Sequence, residues 1–465
     1  ETTTLQIVTG SYERVLHGFT ATIPQTALQG TGPAHDTPKE SPLSFTDTFL
    51  FAAHTSSIRC LALSPPPPSD PNGRLLLATG GTDERINIYS LSLCPPPPSK
   101  STSTSSTAKL PLLPPTLLLN PSVSENAKNK ELGSLLHHTG PITTLSFPTR
   151  TKLLSSSSDS TIAITRTRDW EPLSVIRAPV PKPQGRPSGD TAAPGEVPSG
   201  INDFAVHPSN KLMLSVSKGE KCMRLWNLVT GKKAGVLQFG REVLGAAGEG
   251  RFASGEGRKV VWDPAGEEFA AGFERGVVVF GIDCRVRGAV VPVPRTKVCQ
   301  MRYLPGTAAA GSILVVSTED GRVMFYNTGV HDDLPTTQNT PGKEDTAAKP
   351  CKLIAQLGGP AAGISGRIKD FEILPIPQST GSTDAHANNV EPAYLVVTGS
   401  SDGSVRFWYV SAEEVKGSEQ QQQAGKDFTA NQVGRLIGTY STGTRITCLK
   451  AFVMTGKAEE AVDED

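Results

Sequence analysis

Short apolar runs, each broken by a turn rich in Gly, Ser, Thr and Asp, recur along the whole chain. Tyr394 to Val410, YLVVTGSSDGSVRFWYV, shows the pattern most fully. Leu395, Val396 and Val397 run into a Thr-Gly-Ser-Ser-Asp-Gly turn, and the chain leaves through alternating Val405, Phe407 and the aromatic Trp408. β-Branched and aromatic residues on both sides of such a turn specify two short strands joined by a tight reversal. Asp402 is the acid of that reversal, where a short carboxylate can accept backbone N–H groups the turn leaves unpaired. Trp408 follows it by six residues.

The same offset recurs. Glu13 precedes Phe19, Asp83 precedes Tyr89, Glu220 precedes Trp226, Glu274 precedes Phe280 and Asp320 precedes Tyr326, while Asp159 has Thr165 at the aromatic's place. A hydroxyl stands four residues before the acid in several copies, at Thr9, Thr79, Ser155 and Thr398, suited to bonding back into the turn. Recurrence in register makes Glu13, Asp83, Asp159, Glu220, Glu274, Asp320 and Asp402 structural turn acids rather than catalytic carboxylates.

Consecutive acids lie 70, 76, 61, 54, 46 and 82 residues apart. A four-stranded propeller blade needs about 40–45 residues, so the excess must sit in inserted loops. The termini are complementary: Arg445–Val453 is one apolar strand with no hairpin after it, and the start has a hairpin and a following strand with none before. Joined, they complete a blade from Arg445–Val453, Leu5–Thr9, Arg14–Ala21 and Ser44–Phe51, which removes two free sheet edges. The expected fold is therefore all-β, a single seven-bladed β-propeller over residues 1–456 whose N- and C-terminal strands share one blade.

Composition adds the inserts. With 45 Gly and 38 Pro, the chain carries low-complexity segments at about 23–42, 94–130, 179–200, 329–350, 376–392 and 411–434. These are too polar and proline-broken to hold a core, and 457–465 reads as an acidic disordered tail. The formal charge is zero, with 45 basic and 45 acidic residues. It is unevenly spread: residues 150–302 hold 23 basic against 15 acidic side chains.

Seven cysteines show neither a C-x-x-C pair nor a histidine at metal-ligand spacing, so no metal or cofactor is expected. Buried free thiols suit a reducing compartment, and no apolar run reaches the ~18 residues of a membrane span. His54 and His138 stand just before the first strand of their repeats, placed to bond the turn acid. Ser215-x-x-Lys218 lacks the companion motifs of a penicillin-binding site. Gly248-x-Gly250 and Gly255-x-Gly257 lack the strand-to-helix context of a phosphate loop. No enzymatic activity and no small-molecule substrate are expected.

The histidine entrances, the turn acid and the closing aromatic resemble WD repeats, although only Trp226 and Trp408 supply the tryptophan and neither is followed by Asp. More narrowly, IVTGSYERVLHGF, LHHTGPITTLSF, LSVSKGEKCMRLWNLVTGK and VVTGSSDGSVRFW resemble the WD-repeat family that includes the animal Pak-kinase-interacting protein and the fungal maintenance-of-killer propeller. The resemblance spans all seven blades and excludes the inserts. It implies a non-catalytic assembly factor for the large (60S) ribosomal subunit in the nucleolus or nucleus. Such a factor would bind pre-60S particle proteins and, in one reading, pre-rRNA, as a monomer within a large complex without a membrane. The alternative it implies is a signalling scaffold that binds and regulates a p21-activated-type protein kinase.

Gly10-Ser11-Tyr12-Glu13 is the most distinctive element, with Tyr12 expected to be exposed. Loops joining first to second and third to fourth strands emerge on one face of a propeller, because successive antiparallel strands reverse direction. On that face the expected partner or rRNA contacts are Arg150, Lys152, Arg166 and Arg168 of blade 2, Lys211, Lys232 and Lys233 of blade 3, and Arg285 and Arg287 of blade 4. Asp263, Glu267 and Glu268 are expected to share the face at blade 4.

Overall fold

The structure, a computed structural model, describes residues 2–29, 43–68, 70, 72–96, 126, 128–180, 199–250, 253–306, 312–329, 349–376, 393–416 and 432–456. Among them, 28 strands form seven antiparallel four-stranded sheets. Blade 1 spans Ile58–Leu63 to Lys130–Leu135, blade 2 Ile142–Thr149 to Pro172–Arg177, and blade 3 Ile201–Val206 to Lys232–Gln238. Blade 4 spans Lys259–Trp262 to Val286–Val290, blade 5 Val298–Tyr303 to Lys352–Gly358, and blade 6 Ile368–Ile376 to Arg435–Ser441. The first strand of each blade touches the first strands of its neighbours all the way round, so the ring is closed.

Blade 7 is the closure. Ile446–Val453 is its innermost strand, followed outward by Thr2–Ser11, Val15–Pro24 and Ser44–Ala52. The two terminal strands run antiparallel, from Leu5 opposite Val453 to Ser11 opposite Ile446. Apolar side chains hold this blade from both sides. Leu5, Ile7 and Phe19 pack with Leu395, Val397 and Phe407 of blade 6, and Val8, Leu16 and Phe49 pack with Leu61, Leu77 and Tyr89 of blade 1. Each such side chain contributes roughly 1.5–3 kcal/mol when fully buried. At Gly10 a Cβ would lie 2.7 Å from both Cys448 Sγ and Ile58 Cγ2, so the signature glycine permits the close approach of blade 7 to blade 1.

Six of the seven innermost strands bulge at one residue, with register shifts between Ile58 and Cys60, Ile142 and Thr144, Ile201 and Asp203, Val298 and Gln300, and Ile368 and Asp370, and opposite Gly10 and Ser11 in the closure. Each leaves one extra residue outside the ladder, among them Arg59, Lys369 and Thr447, and re-aims its side chain.

Three short helices depart from the sequence reading: Gln25–Gln29, Arg241–Ala246 and Ala412–Lys416. Two of them fall in stretches assigned to inserts. The segment at 23–42 opens with the end of a strand, Ile23–Pro24, then a helix whose Ala27 is buried beside blades 6 and 7. The segment at 411–434 opens with a helix whose Ala412 and Val415 are buried beside blades 5 and 6. Lys130, assigned to the segment at 94–130, begins a strand. Small apolar residues at these edges have core to cover, which composition alone does not register. Most of the six inserts, and the tail 457–465, lie outside the described residues.

Candidate functional site

The propeller has two faces, and the sequence-derived residues divide between them. On one, here the turn face, lie the turns between second and third strands and the linkers that enter each innermost strand. The turn acids sit there. Asp83 accepts the N–H of Thr55 at 3.0 Å and of Arg85 at 3.4 Å; Asp159 accepts those of Thr139 at 3.0 Å and Thr161 at 2.8 Å. Each thus fastens its own turn and the linker into the blade. Asp402 accepts the N–H of Ser404 at 2.8 Å.

The histidines complete two of these networks. His54 Nδ1 donates to Asp83 at 2.9 Å while Nε2 lies 2.8 Å from Thr79 Oγ1. His138 repeats the arrangement with Asp159 at 3.3 Å and Ser155 at 2.8 Å. Burial outweighs the Asp83 charge and holds the His54 pKa below its ordinary value. Burial also resists ionisation of Asp83, but His54 and the backbone donors prevail and lower its pKa. A neutral imidazole with its proton on Nδ1 fits both contacts. The other repeat hydroxyls reach across the hairpin instead: Thr9 to the carbonyl of His17 and Thr398 to that of Arg406, each at 3.4 Å.

The remaining acids behave differently. Asp320 accepts from Thr318 Oγ1 at 2.5 Å and pairs with Arg322 at 2.8 Å. Glu220 forms a two-nitrogen ion pair with Arg224, and Glu274 pairs with Lys297 at 2.9 Å and Arg258 at 3.5 Å. Glu13 accepts the backbone N–H of Arg445 at 3.0 Å, on the linker into the closing strand. Among the described residues none of the three glutamates accepts an N–H of its own turn. The extra methylene carries the carboxylate past the two-residue reach of an aspartate, so glutamate ties the turn to a neighbouring cation or linker.

Tyr12 is 62% exposed, and the guanidinium of Arg445 lies 5.7 Å from its ring centroid. The Tyr12 N–H donates to the Arg445 carbonyl at 2.9 Å, which fixes the ring's base. The nine-cation stripe lies on the opposite face, at the other ends of the strands. One flat partner therefore cannot cover both sets.

The stripe is also less free than the sequence suggests. Arg166 Nε donates to Asp169 at 2.9 Å, Arg285 lies 3.7 Å from Asp283, and Arg287 lies 3.6 Å from Glu268. Arg150 is half-buried, with one guanidinium nitrogen enclosed without a partner. Lys152, Arg168, Lys211, Lys232 and Lys233 are exposed and have no carboxylate within 4.0 Å among the described residues. Asp263 and Glu268, expected as surface acids, are buried: Asp263 accepts from Ser312 Oγ at 2.8 Å, and Glu268 from Thr328 Oγ1 at 2.5 Å. Burial raises the Glu268 pKa.

Two buried carboxylates that the sequence reading passed over bridge neighbouring blades beside the central channel. Asp203 accepts the N–H of Val260 at 3.1 Å and the Thr144 hydroxyl at 2.8 Å, joining blades 2, 3 and 4. Asp370 accepts the N–H of Leu449 at 3.0 Å and pairs with Arg302 at 3.2 Å, joining blades 5, 6 and 7. Both stand in an Ile-x-Asp-Phe pattern, Ile201–Phe204 and Ile368–Phe371, which is the signal that could have found them.

Comparison with known proteins agrees with this architecture. The WD domain, G-beta repeat family matches residues 45–90 and 129–165. The p21-activated protein kinase-interacting protein 1-like protein of Xenopus laevis is 23% identical over 452 residues, covering 97% of this chain and 83% of the relative. The protein of that name from Danio rerio is 22% identical, covering 99% and 83%. Protein MAK11 of Saccharomyces cerevisiae is 27% identical over 465 residues, covering 96% and 82%. The chain carries WD repeats and is homologous to these proteins over most of its length.

Proposed function

We propose that this WD-repeat propeller is a non-catalytic assembly factor of the large ribosomal subunit, acting in the nucleolus or nucleus by holding assembly proteins of the pre-60S particle. The near-full-length homology to the yeast protein carries the reading, together with the signature hairpin Gly10–Glu13, which sits at the ring closure. A closed ring offers two broad, rigid faces. Turn acids fixed to linkers on one face, and on the other lysines without a carboxylate partner among the described residues, suit simultaneous contacts with different partners. The polar chemistry described above is absorbed in fastening turns and blades, and this supports binding rather than catalysis.

The name of the vertebrate relatives favours a second reading, a scaffold for a p21-activated protein kinase. Affinity purification of the tagged chain under mild salt, with identification of bound RNA and protein, separates the two. Recovery of large-subunit precursor RNA and assembly proteins supports the first reading. Recovery of a kinase complex free of precursor RNA refutes it.

A further inference from the structure

We propose that the mouth of the central channel on the turn face, where blades 6, 7 and 1 meet, binds a single-stranded RNA segment, with Arg59, Lys369 and Arg445 on phosphates and Tyr12 stacked on a base. The inference rests on the ribosomal reading and names a face and a ligand class for it.

The residues converge through the fold. Lys369 and Arg59 are the extra residues of the bulges in the first strands of blades 6 and 1, and Arg445 immediately precedes the closing strand between them. The closing strand touches the innermost strands of both blades 6 and 1. Arg367, Arg445 and Arg59 all act electrostatically on Lys369; burial first, and then these charges, lower its pKa. Arg367 is held by an ion pair with Glu319. Arg59, Lys369 and Arg445 have no carboxylate within 4.0 Å of their charged groups among the described residues, so three cations gather at the channel mouth without a direct ion pair. The nearby Asp370 is engaged with Arg302, Gln300 and the Leu449 N–H. Glu13 stands beside Arg445 but spends an oxygen on its backbone N–H.

A cation cluster alone would accept any polyanion. Tyr12 narrows the choice: its exposed ring, backed on one side by the Arg445 guanidinium, presents a platform of the kind on which unpaired bases stack, and an acidic peptide has no use for it. A duplex would satisfy the cations but leave the ring idle. The opposite-face stripe lacks this pairing, since its nearby Trp170 is half-buried against the core between blades 1 and 2.

The test is fluorescence anisotropy of the purified full chain with a labelled twelve-nucleotide oligouridylate across a salt series. The triple variant Arg59→Ala, Lys369→Met, Arg445→Ala should lower affinity and flatten the salt dependence by about 0.7 in logarithmic slope per lost phosphate contact. Tyr12→Ala should weaken binding on the order of ten-fold with the slope unchanged. Should the triple variant misfold, Arg59→Ala and Tyr12→Ala, both at exposed positions, carry the test alone. No binding by the natural chain, unchanged affinity in the folded variants, or equal binding of an oligoglutamate peptide overturns the proposal. Such failure leaves precursor association in cells untouched; loss of that association, with oligonucleotide binding intact, would instead strike the ribosomal reading.

Discussion

The carboxylate of Asp370 in blade 6 accepts the backbone N–H of Leu449 in the closing strand at 3.0 Å. One buried side chain thus reaches across the seam where the ring is sealed by the two ends of the chain. Lys450 adds an ion pair to Glu372 at 2.9 Å on the neighbouring turn of the pleat. Burial alone would raise the Asp370 pKa, but Arg302, Lys450 and the Leu449 N–H hold it below the usual carboxylate value. Asp370→Ala leaves Arg302 short of a partner and the Leu449 N–H orphaned, and is expected to destabilise by about 3–5 kcal/mol. Asp370→Asn keeps an acceptor and should cost about 1–3 kcal/mol. Urea unfolding measures both; an Asp370→Ala protein as stable as the natural one would show that this bond does not fasten the seam.

Glu13 ties the signature hairpin to the linker at Arg445 through one exposed hydrogen bond. Glu13→Gln retains an acceptor and is expected to shift stability by at most about 1 kcal/mol. Precursor association should persist in this variant. If stability is unchanged but association is abolished, the carboxylate contacts a partner rather than the linker.

Acid should weaken the fold in two windows. Burial lowers the pKa of His54 from its ordinary 6.5, and burial together with His138 lowers that of His137 to about 4. The unfolded chain takes up these protons first, so stability declines as pH falls from about 6.5 toward 4. Asp83, Asp159 and Asp402 have lowered pKa values because, against the opposing effect of burial, their histidine, arginine and N–H partners favour the carboxylate. Their contribution is present above the unfolded value of 3.8 and is lost as pH falls below it. Thermal melts from pH 8 to pH 3 should show both declines, and His137→Asn should reduce the upper one. A flat profile between pH 6.5 and 4.5 would contradict a neutral His54 and His137 in the fold.

On the opposite face, reversing the charge of Lys152, Arg168, Lys232 and Lys233 removes no ion pair among the described residues. Their joint replacement by Glu should leave the melting temperature within about 2 °C, surface changes being small. If that face meets pre-rRNA, particle binding weakens and its salt slope falls by ~0.7–0.9 per lost contact. Unchanged affinity and slope in the folded variant would eliminate it as an RNA surface.

Repetition made the fold legible. Each turn acid six residues before an aromatic marks one hairpin, so even blade 4, with little else in common, is located by Glu274 and Phe280. The closure is legible because Arg445–Val453 supplies a single apolar strand and the N-terminal hairpin supplies the strands that pair outward from it. The site was less legible. Whether a cation is free depends on carboxylates brought near by turns, as Asp169 is to Arg166, and the roles of Asp203 and Asp370 exist only once neighbouring blades meet. The short helices carry too few residues to show a helical period.

A scaffold on large-subunit precursors, the role proposed for this chain, must travel with them. Sedimentation of an extract containing the tagged full chain through a sucrose gradient, with detection of the tag and of precursor RNA across fractions, tests it most directly. The tagged chain is expected to travel with the large-subunit precursor and to shift to the top of the gradient after ribonuclease or high-salt treatment. A chain found only in slowly sedimenting fractions, together with a protein kinase and without precursor RNA, would contradict it.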